Sequence, residues 1–238
     1  MPTVDAVMNS LKAKGSEKTR AIFARHGGPA DRILGVNVAD IKVMAKALKG
    51  QQALACELYE TGYMEAMYLA GMVASGKLMS EKQLQAWADG SQGISMISEH
   101  TVPWGTVESP AARALALQWT TSKIEYLAAA GWCTYAGLLA TVPDTELALV
   151  EVEGLLARVV KEIGVAPNRA RYTMNGFVIS VGTHVRPLLK TAKDTARALG
   201  VVSVNMGETA CKVPLAAEYI AKAEAAGKVG QKRKTIRC

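Results

Sequence analysis

The sequence YLAGMVASG at 68–76 recurs in altered form as AAAGWCTYAG at 128–137 and as TMNGFVISVG at 173–182. Each copy is uncharged and rich in small residues, with one glycine at its centre and another five or six residues later. The central glycines are Gly71, Gly131 and Gly176, and the later ones are Gly76, Gly137 and Gly182. Such self-similarity is typical of repeat architectures, in which one helical unit stacks on the next. Proteins of this kind bind along an extended concave surface, so we look for function there rather than in a deep pocket.

The central glycines predict close packing between helices. A glycine inside a helix costs about 1 kcal/mol relative to alanine, and it is tolerated where another helix must come near. We therefore predict that the three segments are the inner helices of successive helix pairs. Their central glycines are 60 and 45 residues apart. HEAT repeats have a period of roughly 40–47 residues, so the wider gap should hold an extra helix.

Helical periodicity continues outside the repeated segments. Ser16 is expected to cap a helix that runs through Arg25, and Asn37 to cap a helix with apolar residues at three- and four-residue spacing. Glycine and proline mark the breaks between helices, and residues 201–214 form the least helical stretch, which we expect to be a loop. Further helices are expected near 51–61, 63–75, 80–89, 92–102, 109–121, 123–141, 144–163, 168–184, 187–199 and 215–226.

No segment has the alternating pattern of a β-strand. The fold class that follows is all-α, an α-solenoid of stacked antiparallel helix pairs of the HEAT or armadillo type. The connections marked by glycine and proline are short, which is typical of neighbouring helices within one domain and not of a linker between two domains. We therefore expect a single HEAT-like helical-repeat domain over residues 1–228 and a basic C-terminal tail over residues 229–238.

The charge of the chain favours a polyanionic partner. The net charge is +7 and the pI is about 9.2, while half of the residues are hydrophobic. DNA, RNA or an anionic membrane face would suit this balance, although charge alone fits a generic basic protein equally well. The longest uncharged run, residues 126–143, is marginal for a membrane span and is better explained by a buried helix.

The four cysteines are scattered, without a C-x-x-C pair, which argues against a zinc ribbon or a disulfide framework. They are Cys56, Cys133, Cys211 and Cys238. Reduced thiols fit a cytoplasmic protein best, associated with the nucleoid if the source is bacterial, and the N-terminal residues lack the apolar region of a secretory signal. The three histidines are isolated in the sequence, and we expect neither a metal nor a cofactor.

Trp104 and Glu108 are the first candidates for chemistry. They stand four residues apart, so on a helix they would share a face, and Pro103 suits the first turn of that helix. In one interpretation Trp104 is a core anchor and Glu108 a solvated or capping acid. In the other, the pair lines a site where positive charge develops and where a carboxylate and a π-face stabilise it.

Three stretches resemble the DNA alkylation repair family, the AlkD-like HEAT-repeat DNA glycosylases. RILGVNVADIKVMAKAL at 32–48 is similar to the family's N-terminal helix, WGTVE at 104–108 to its W-x-x-V-D catalytic helix, and MNGFVISVG at 174–182 to an inner-helix segment. The resemblance implies hydrolysis of the N-glycosidic bond of positively charged alkylpurines, such as 3-methyladenine and 7-methylguanine, in duplex DNA. Such an enzyme stabilises an oxocarbenium-like sugar and positions water, and this family is said to act without drawing the damaged base into a pocket.

The resemblance also implies roles for four residues. Trp104 matches the family's tryptophan at the lesion, and Glu108 stands where the family has its catalytic aspartate. Phe177 stands where the family has a second tryptophan, and Tyr135 where active members have an arginine that contacts the DNA backbone. The last three depart from the family pattern: Glu108 is longer by a methylene, Phe177 lacks an N–H donor, and Tyr135 lacks a cation. For Phe177 and Tyr135, ordinary packing within an inner helix remains an equal alternative.

Basic residues are the expected contacts to DNA phosphates. On the concave face the candidates are Lys42, Lys46, Arg169, Arg171, Arg186, Lys190 and Lys193. The tail adds a denser cluster, Lys232, Arg233 and Lys234, which suits either a flexible arm on DNA or a solubilising segment. For each of these residues a solvated helix face is the alternative.

Two functions follow from these residues. The first is a monomeric protein that binds double-stranded DNA and acts as an alkylpurine DNA glycosylase, with Glu108, Trp104 and Phe177 as catalytic residues. The second is a non-catalytic helical-repeat scaffold that binds nucleic acid or a protein partner. A membrane partner is not expected, because no clear amphipathic basic helix is present.

Overall fold

The computed structural model describes residues 2–237, and Cys238 lies outside the described residues. Thirteen α-helices and no β-strand occur within residues 2–237, which confirms the all-α prediction. The helices are α1 (Val4–Lys14), α2 (Glu17–Arg25), α3 (Val38–Ala47), α4 (Gln52–Glu60), α5 (Met64–Val73), α6 (Glu81–Gly90), α7 (Val102–Thr106), α8 (Ala112–Thr120), α9 (Glu125–Thr141), α10 (Leu149–Glu162), α11 (Asn168–His184), α12 (Leu189–Leu199) and α13 (Ala216–Ala225).

The two predicted caps are confirmed. The Ser16 hydroxyl accepts a hydrogen bond from the Thr19 N–H at 3.3 Å, and the Asn37 side chain accepts one from the Asp40 N–H at 3.0 Å. Each bond satisfies one of the amides that the first turn of a helix leaves without an intrahelical partner. α2 and α3 therefore begin where the sequence predicts.

The helix predicted near residues 92–102 begins later, at Ser95, and only its first residues are α-helical before Val102. Residues Ile97–Thr101 form a π-helical turn instead, and this turn leads directly into α7. Pro103 supplies the physical reason, since it has no N–H to donate to the carbonyl four residues earlier and its ring crowds that carbonyl. The Val102 N–H bonds to the Ile97 carbonyl, five residues back, so the backbone widens just before the proline.

The described residues divide into two compact units. The first contains the chain up to Ala111 together with Met206–Ala210, and the second contains Ala112–Asn205 together with the residues from Cys211 onward. Residues 229–237 thus belong to the second unit. The division into one domain over 1–228 and a separate tail stays a prediction.

In the second unit α9 and α11 pack side by side. α8 packs on α9, α12 packs on both α10 and α11, and α13 packs on α11 and α12. The core between them contains Trp132, Tyr135 and Phe177. The long uncharged run is confirmed as a buried helix, because α9 buries most of its residues. No helix in the described part of the chain is long and apolar enough to cross a membrane.

The repeated glycines fall on α5, α9 and α11, but only two of the three central ones have the predicted packing role. A Cβ atom at Gly71 would lie 2.7 Å from the Thr101 Cγ2, and one at Gly131 would lie 2.5 Å from the Thr120 backbone nitrogen. A Cβ atom at Gly176 would have no atom within 4 Å. The packing explanation is therefore wrong for Gly176, which faces open space.

A buried carboxylate organises the first unit. Glu65 on α5 is fully buried, and its carboxylate accepts hydrogen bonds from the backbone N–H groups of Leu34, Gly35 and Val36 at 2.6–3.2 Å. Gly35 has a φ of +84°, a conformation that favours glycine. The hydrogen bonds therefore hold both the turn at residues 34–36 and the Glu65 carboxylate in place, so this part of the RILGVN stretch serves the fold.

The predicted loop over residues 201–214 is confirmed, since no helix lies between Leu199 and Ala216. Asn168 holds its start by two bonds, donating from Nδ2 to the Asn205 carbonyl at 2.8 Å and accepting the Asn205 N–H at 2.7 Å. Further along, Gly207 packs within the first unit, where a Cβ atom would lie 2.6 Å from the Arg25 carbonyl oxygen. The φ of Gly207 is +70°, so glycine is required there on both grounds.

Candidate nucleic-acid interface

Trp104 lies in the core of the first unit. Its side chain is 2% exposed, and its ring packs edge-on against Tyr68 with 4.9 Å between the ring centroids. His100 lies on the preceding π-helical turn, with its ring centroid 5.9 Å from that of Trp104. This geometry matches the core-anchor interpretation of Trp104, and its assignment as a catalytic residue stays a prediction.

Glu108 lies in the turn that follows α7, two residues beyond the end of the helix. Its carboxylate accepts a hydrogen bond from the Gly76 N–H at 2.9 Å. Gly76 must be glycine, because a Cβ atom there would overlap the Gly105 carbonyl oxygen. Glu108 is therefore a half-buried acid whose carboxylate is held by the Gly76 N–H, at a point where the backbones of Gly76 and Gly105 lie close together.

Phe177 and Tyr135 lie in the core of the second unit. Phe177 is 0% and Tyr135 3% exposed, and their rings meet edge to face with centroids 5.8 Å apart. Trp132 completes the cluster, 5.1 Å from Phe177. In this arrangement neither ring offers a face to a bound nucleotide, which matches the packing interpretation. Their roles at DNA stay predictions.

The Tyr135 hydroxyl is part of a charged network that sequence reasoning missed. It donates a hydrogen bond to Glu151, and Arg113 donates two more to the same carboxylate, at 2.8 and 2.6 Å. Burial raises the pKa of Tyr135 above its usual value, so the hydroxyl remains a donor. Burial alone would raise the pKa of Glu151, but the bonds from Arg113 and Tyr135 outweigh it, so its pKa is lowered. The guanidinium of Arg113 and the hydroxyl of Tyr135 thus share one carboxylate.

Two predicted DNA contacts lie on the exposed face of α3 and two lie on α11. Lys42 and Lys46 are exposed, one helical turn apart. On α11 the guanidinium of Arg169 lies over the ring of Tyr172, 4.4 Å from its centroid, and Arg171 is half-buried. Stacking of this kind holds a guanidinium in one orientation.

The lysines of α12 are engaged in ion pairs. Lys190 pairs with Asp194 at 2.9 Å on the same helix, and Lys193 pairs with Glu224 of α13 at 2.6 Å. Asp194 also pairs with Arg197, at 3.2 Å. Acids therefore already neutralise much of the positive charge on this helix.

Residues 229–237, which we term the C-terminal strap, bind to the ends of α9 and α11. The Gly230 N–H donates to the Thr183 carbonyl at 2.9 Å, and the Arg233 N–H donates to the Ala140 carbonyl at 2.7 Å. Both carbonyls belong to the last turn of a helix, where intrahelical partners are lacking. The main chain of the strap is thus bound to the second unit and is not a free arm.

Lys232, Arg233 and Lys234 of the strap, and Arg186 next to it, differ in what their side chains contact. Lys232 donates to the Leu139 carbonyl at 2.8 Å and pairs with Asp144 at 2.7 Å, so it neutralises the negative end of α9. Arg186 is likewise occupied, donating to the Val229 carbonyl at 2.6 Å. Arg233 and Lys234, by contrast, are exposed on a backbone that is held in place.

Comparison with known proteins adds a family and a fold. Residues 7–192 match the family model described as "DNA alkylation repair enzyme". The chain is 31% identical to an uncharacterized protein of Listeria innocua and 31% identical to one of Listeria monocytogenes, each over 228 residues that cover 94% of this chain and 98% of the relative. A solved structure described as "A new family of proteins related to the HEAT-like repeat DNA glycosylases with affinity for branched DNA structures" is 34% identical. It covers 100% of both chains with a TM-score of 0.89, which confirms the predicted HEAT-like fold.

Proposed function

The chain belongs to the DNA alkylation repair enzyme family, and from this premise we propose that it binds DNA, preferably at branch points, through the phosphate backbone. The observation that carries the proposal is the full-length similarity to a protein with affinity for branched DNA. The net charge of +7 supports it, because cations that neutralise phosphates release condensed counterions and so favour binding.

The cations that best suit this role are exposed and are not neutralised by a neighbour. Among the predicted DNA contacts, Lys42 and Lys46 in the first unit and Arg233 and Lys234 in the second are exposed and form no ion pair within the described residues. Arg233 and Lys234 have a further advantage, since their backbone is held by the ends of α9 and α11. A cation on an ordered backbone loses less conformational entropy on binding than one on a free arm. The remaining candidates, Arg169, Arg171, Arg186, Lys190, Lys193, Lys232 and Tyr135, would contribute less, since most are engaged by other groups.

Removing both exposed cations of the strap is expected to weaken DNA binding. Arg233→Ala with Lys234→Ala should lower the affinity for a four-way junction by about tenfold at physiological salt, and should reduce the slope of log K against log salt by roughly 2, one unit for each lost phosphate contact. Fluorescence anisotropy with a labelled junction at several salt concentrations measures both quantities.

The matched control is Lys190→Ala with Lys193→Ala, which also removes two cations, but two that are ion-paired. It should change the affinity by less than about threefold. An equal loss in both double variants would mean that total charge, rather than the strap, determines binding. Equal affinity for the junction and for a linear duplex of the same length would contradict the branch preference.

Hydrolysis of alkylpurine N-glycosidic bonds is the second candidate function. Glu108 favours it, because its half-buried carboxylate is held in one place by the Gly76 N–H, and a fixed negative charge stabilises a cationic sugar. Trp104 and Phe177 would have to leave the core to contact a lesion. This candidate is therefore secondary to DNA binding.

A methylated-DNA assay separates the two candidates. A glycosylase that depends on Glu108 would release 7-methylguanine, and Glu108→Gln would lower the rate by at least about 100-fold while retaining DNA affinity. Release no faster than from DNA alone, at enzyme in excess over substrate, would eliminate the catalytic function. Absence of DNA binding even at low salt would instead support the scaffold that binds a protein partner.

A further inference from the structure

Helix α10 presents an apolar face to solvent. Its inward residues Val152, Leu155, Leu156 and Val159 are buried in the second unit. On the opposite side Val150 is 83% and Val160 46% exposed, and Ala157 between them is exposed as well. Just beyond the helix, Val165 is 89% exposed. Exposed valines concentrated on one helix face are typical of an interaction surface.

The neighbouring helix α12 shows what a solvated face looks like in the same unit. It packs beside α10, and its outward residues are charged and linked to one another, with Asp194 pairing both Lys190 and Arg197. Outward residues of this kind are usual for a surface helix. The apolar outward face of α10 is therefore a local property and not a feature of the whole surface.

The charges of α10 are divided between two sides of the helix. On one side both acids are paired, Glu151 with Arg113 and Glu162 with Arg158. Glu153 and Lys161 lie instead on the same outward face as Ala157, each four residues from it and in opposite directions. Within residues 2–237 neither of them forms an ion pair. The outward face thus combines the exposed valines with one negative and one positive charge, placed symmetrically about Ala157.

We propose that this face binds a second copy of the chain, with the two α10 helices antiparallel and a two-fold axis passing near Ala157. In this arrangement a residue a given number of positions before Ala157 lies opposite the residue the same number of positions after Ala157 in the partner subunit. Glu153 then lies level with Lys161 of the partner subunit, and this contact occurs twice. A parallel arrangement would instead bring like charges together, which is unfavourable.

The apolar residues fit the same arrangement. Val150 comes level with Gly164 of the partner subunit, and neither Gly154 nor Gly164 has an atom within 4 Å of an added Cβ. Glycines with open space above them let a second helix approach closely. Because the apolar face is about one helix long and stable interfaces bury about 1,200–2,000 Å², the dimer is expected to be weak and concentration-dependent. A dimer through this face would differ from the monomer expected from the sequence, which stays a prediction.

Sedimentation velocity over about a hundredfold range of protein concentration tests the proposal. The weight-average mass should rise from 25.3 kDa toward twice that value. Ala157→Arg places two cations at the axis and should hold the mass at that of the monomer, whereas Ala198→Arg on the exposed face of α12 should leave the dimer unchanged. Circular dichroism confirms that both variants are folded.

A charge swap tests the register. Glu153→Lys alone and Lys161→Glu alone should each weaken the dimer by at least about threefold, and the two changes in one chain should restore it. A wild-type chain that stays at monomer mass at the highest concentration, or a double variant whose dimer is as weak as those of the single variants, would overturn the proposal.

If the wild-type chain never dimerises and Ala157→Arg lowers its DNA affinity, the face would be a DNA contact. Junction binding by the monomeric variant is measured separately, so failure of the dimer leaves the proposed function standing.

Discussion

Glu65→Ala is expected to lower the free energy of unfolding by about 4 kcal/mol. The carboxylate is fully buried and accepts the N–H groups of three successive residues, Leu34, Gly35 and Val36. Alanine would leave these donors without an acceptor, and each buried unsatisfied group costs about 1–3 kcal/mol. Water entering the cavity would recover part of the loss. Urea denaturation followed by circular dichroism measures the difference.

Two further variants show whether loss of the buried carboxylate causes the drop in the free energy of unfolding. Glu65→Gln keeps an oxygen that can accept hydrogen bonds but loses the charge. We therefore expect it to lower the free energy of unfolding by about half as much as Glu65→Ala. Glu57→Ala removes an exposed acid from α4 and should change the stability by less than about 0.5 kcal/mol. A loss below about 1 kcal/mol for Glu65→Ala would mean that the turn at 34–36 does not depend on this acid.

Gly131→Ala is expected to cost about 3 kcal/mol, whereas the same change at Gly176 should stabilise the protein. The new Cβ at Gly131 would lie 2.5 Å from the Thr120 nitrogen and 2.8 Å from the Trp119 carbonyl carbon. Both are backbone atoms, so relief requires α8 and α9 to move apart, and overpacking of this kind typically costs about 1–3 kcal/mol. At Gly176 nothing opposes the methyl group, so the higher helix propensity of alanine should contribute about 0.5–1 kcal/mol.

The two variants control for each other, because both glycines occupy the centre of the same repeated segment. Thermal unfolding of the two proteins under identical conditions should shift the Tm in opposite directions. Two shifts of the same sign would contradict the idea that the repeat combines one packed and one open glycine. Junction binding by Gly176→Ala then shows whether the open position serves DNA, since a stabilised variant cannot lose affinity by unfolding.

The sequence predicts the helices well because their signals are local. Caps at Ser16 and Asn37 and apolar spacing depend only on neighbouring residues, and the structure confirms them. The exception is the stretch before Pro103, where periodicity predicts an α-helix but the proline favours a wider turn. The repeated segments predict close packing at Gly71 and Gly131, yet their similarity cannot reveal that Gly176 faces outward, because that depends on the rotation of α11 about its axis.

The candidate site is harder to predict because its contacts are distant in sequence. Glu65 stands out as a lone acid in the apolar stretch YMEAMYLAG, but its three partners lie about thirty residues earlier. The density of cations in the strap predicts either a flexible arm on DNA or a solubilising segment, whereas in the structure main-chain bonds to Thr183 and Ala140 hold it. The matched aromatic positions indicate a reactive site by resemblance, and only the packed structure reveals that Tyr135 and Phe177 are enclosed.

The first unit is discontinuous along the chain, and this has a consequence for biosynthesis. Met206–Ala210 completes that unit, so the ribosome must translate all of Ala112–Asn205 before the closing residues emerge. During that interval the N-terminal helices lack part of their unit, and Gly207 does not yet pack against the C-terminal end of α2. Domains generally fold as units during synthesis, N-terminal part first, but here the earliest-made part is completed only after most of the second unit has been translated.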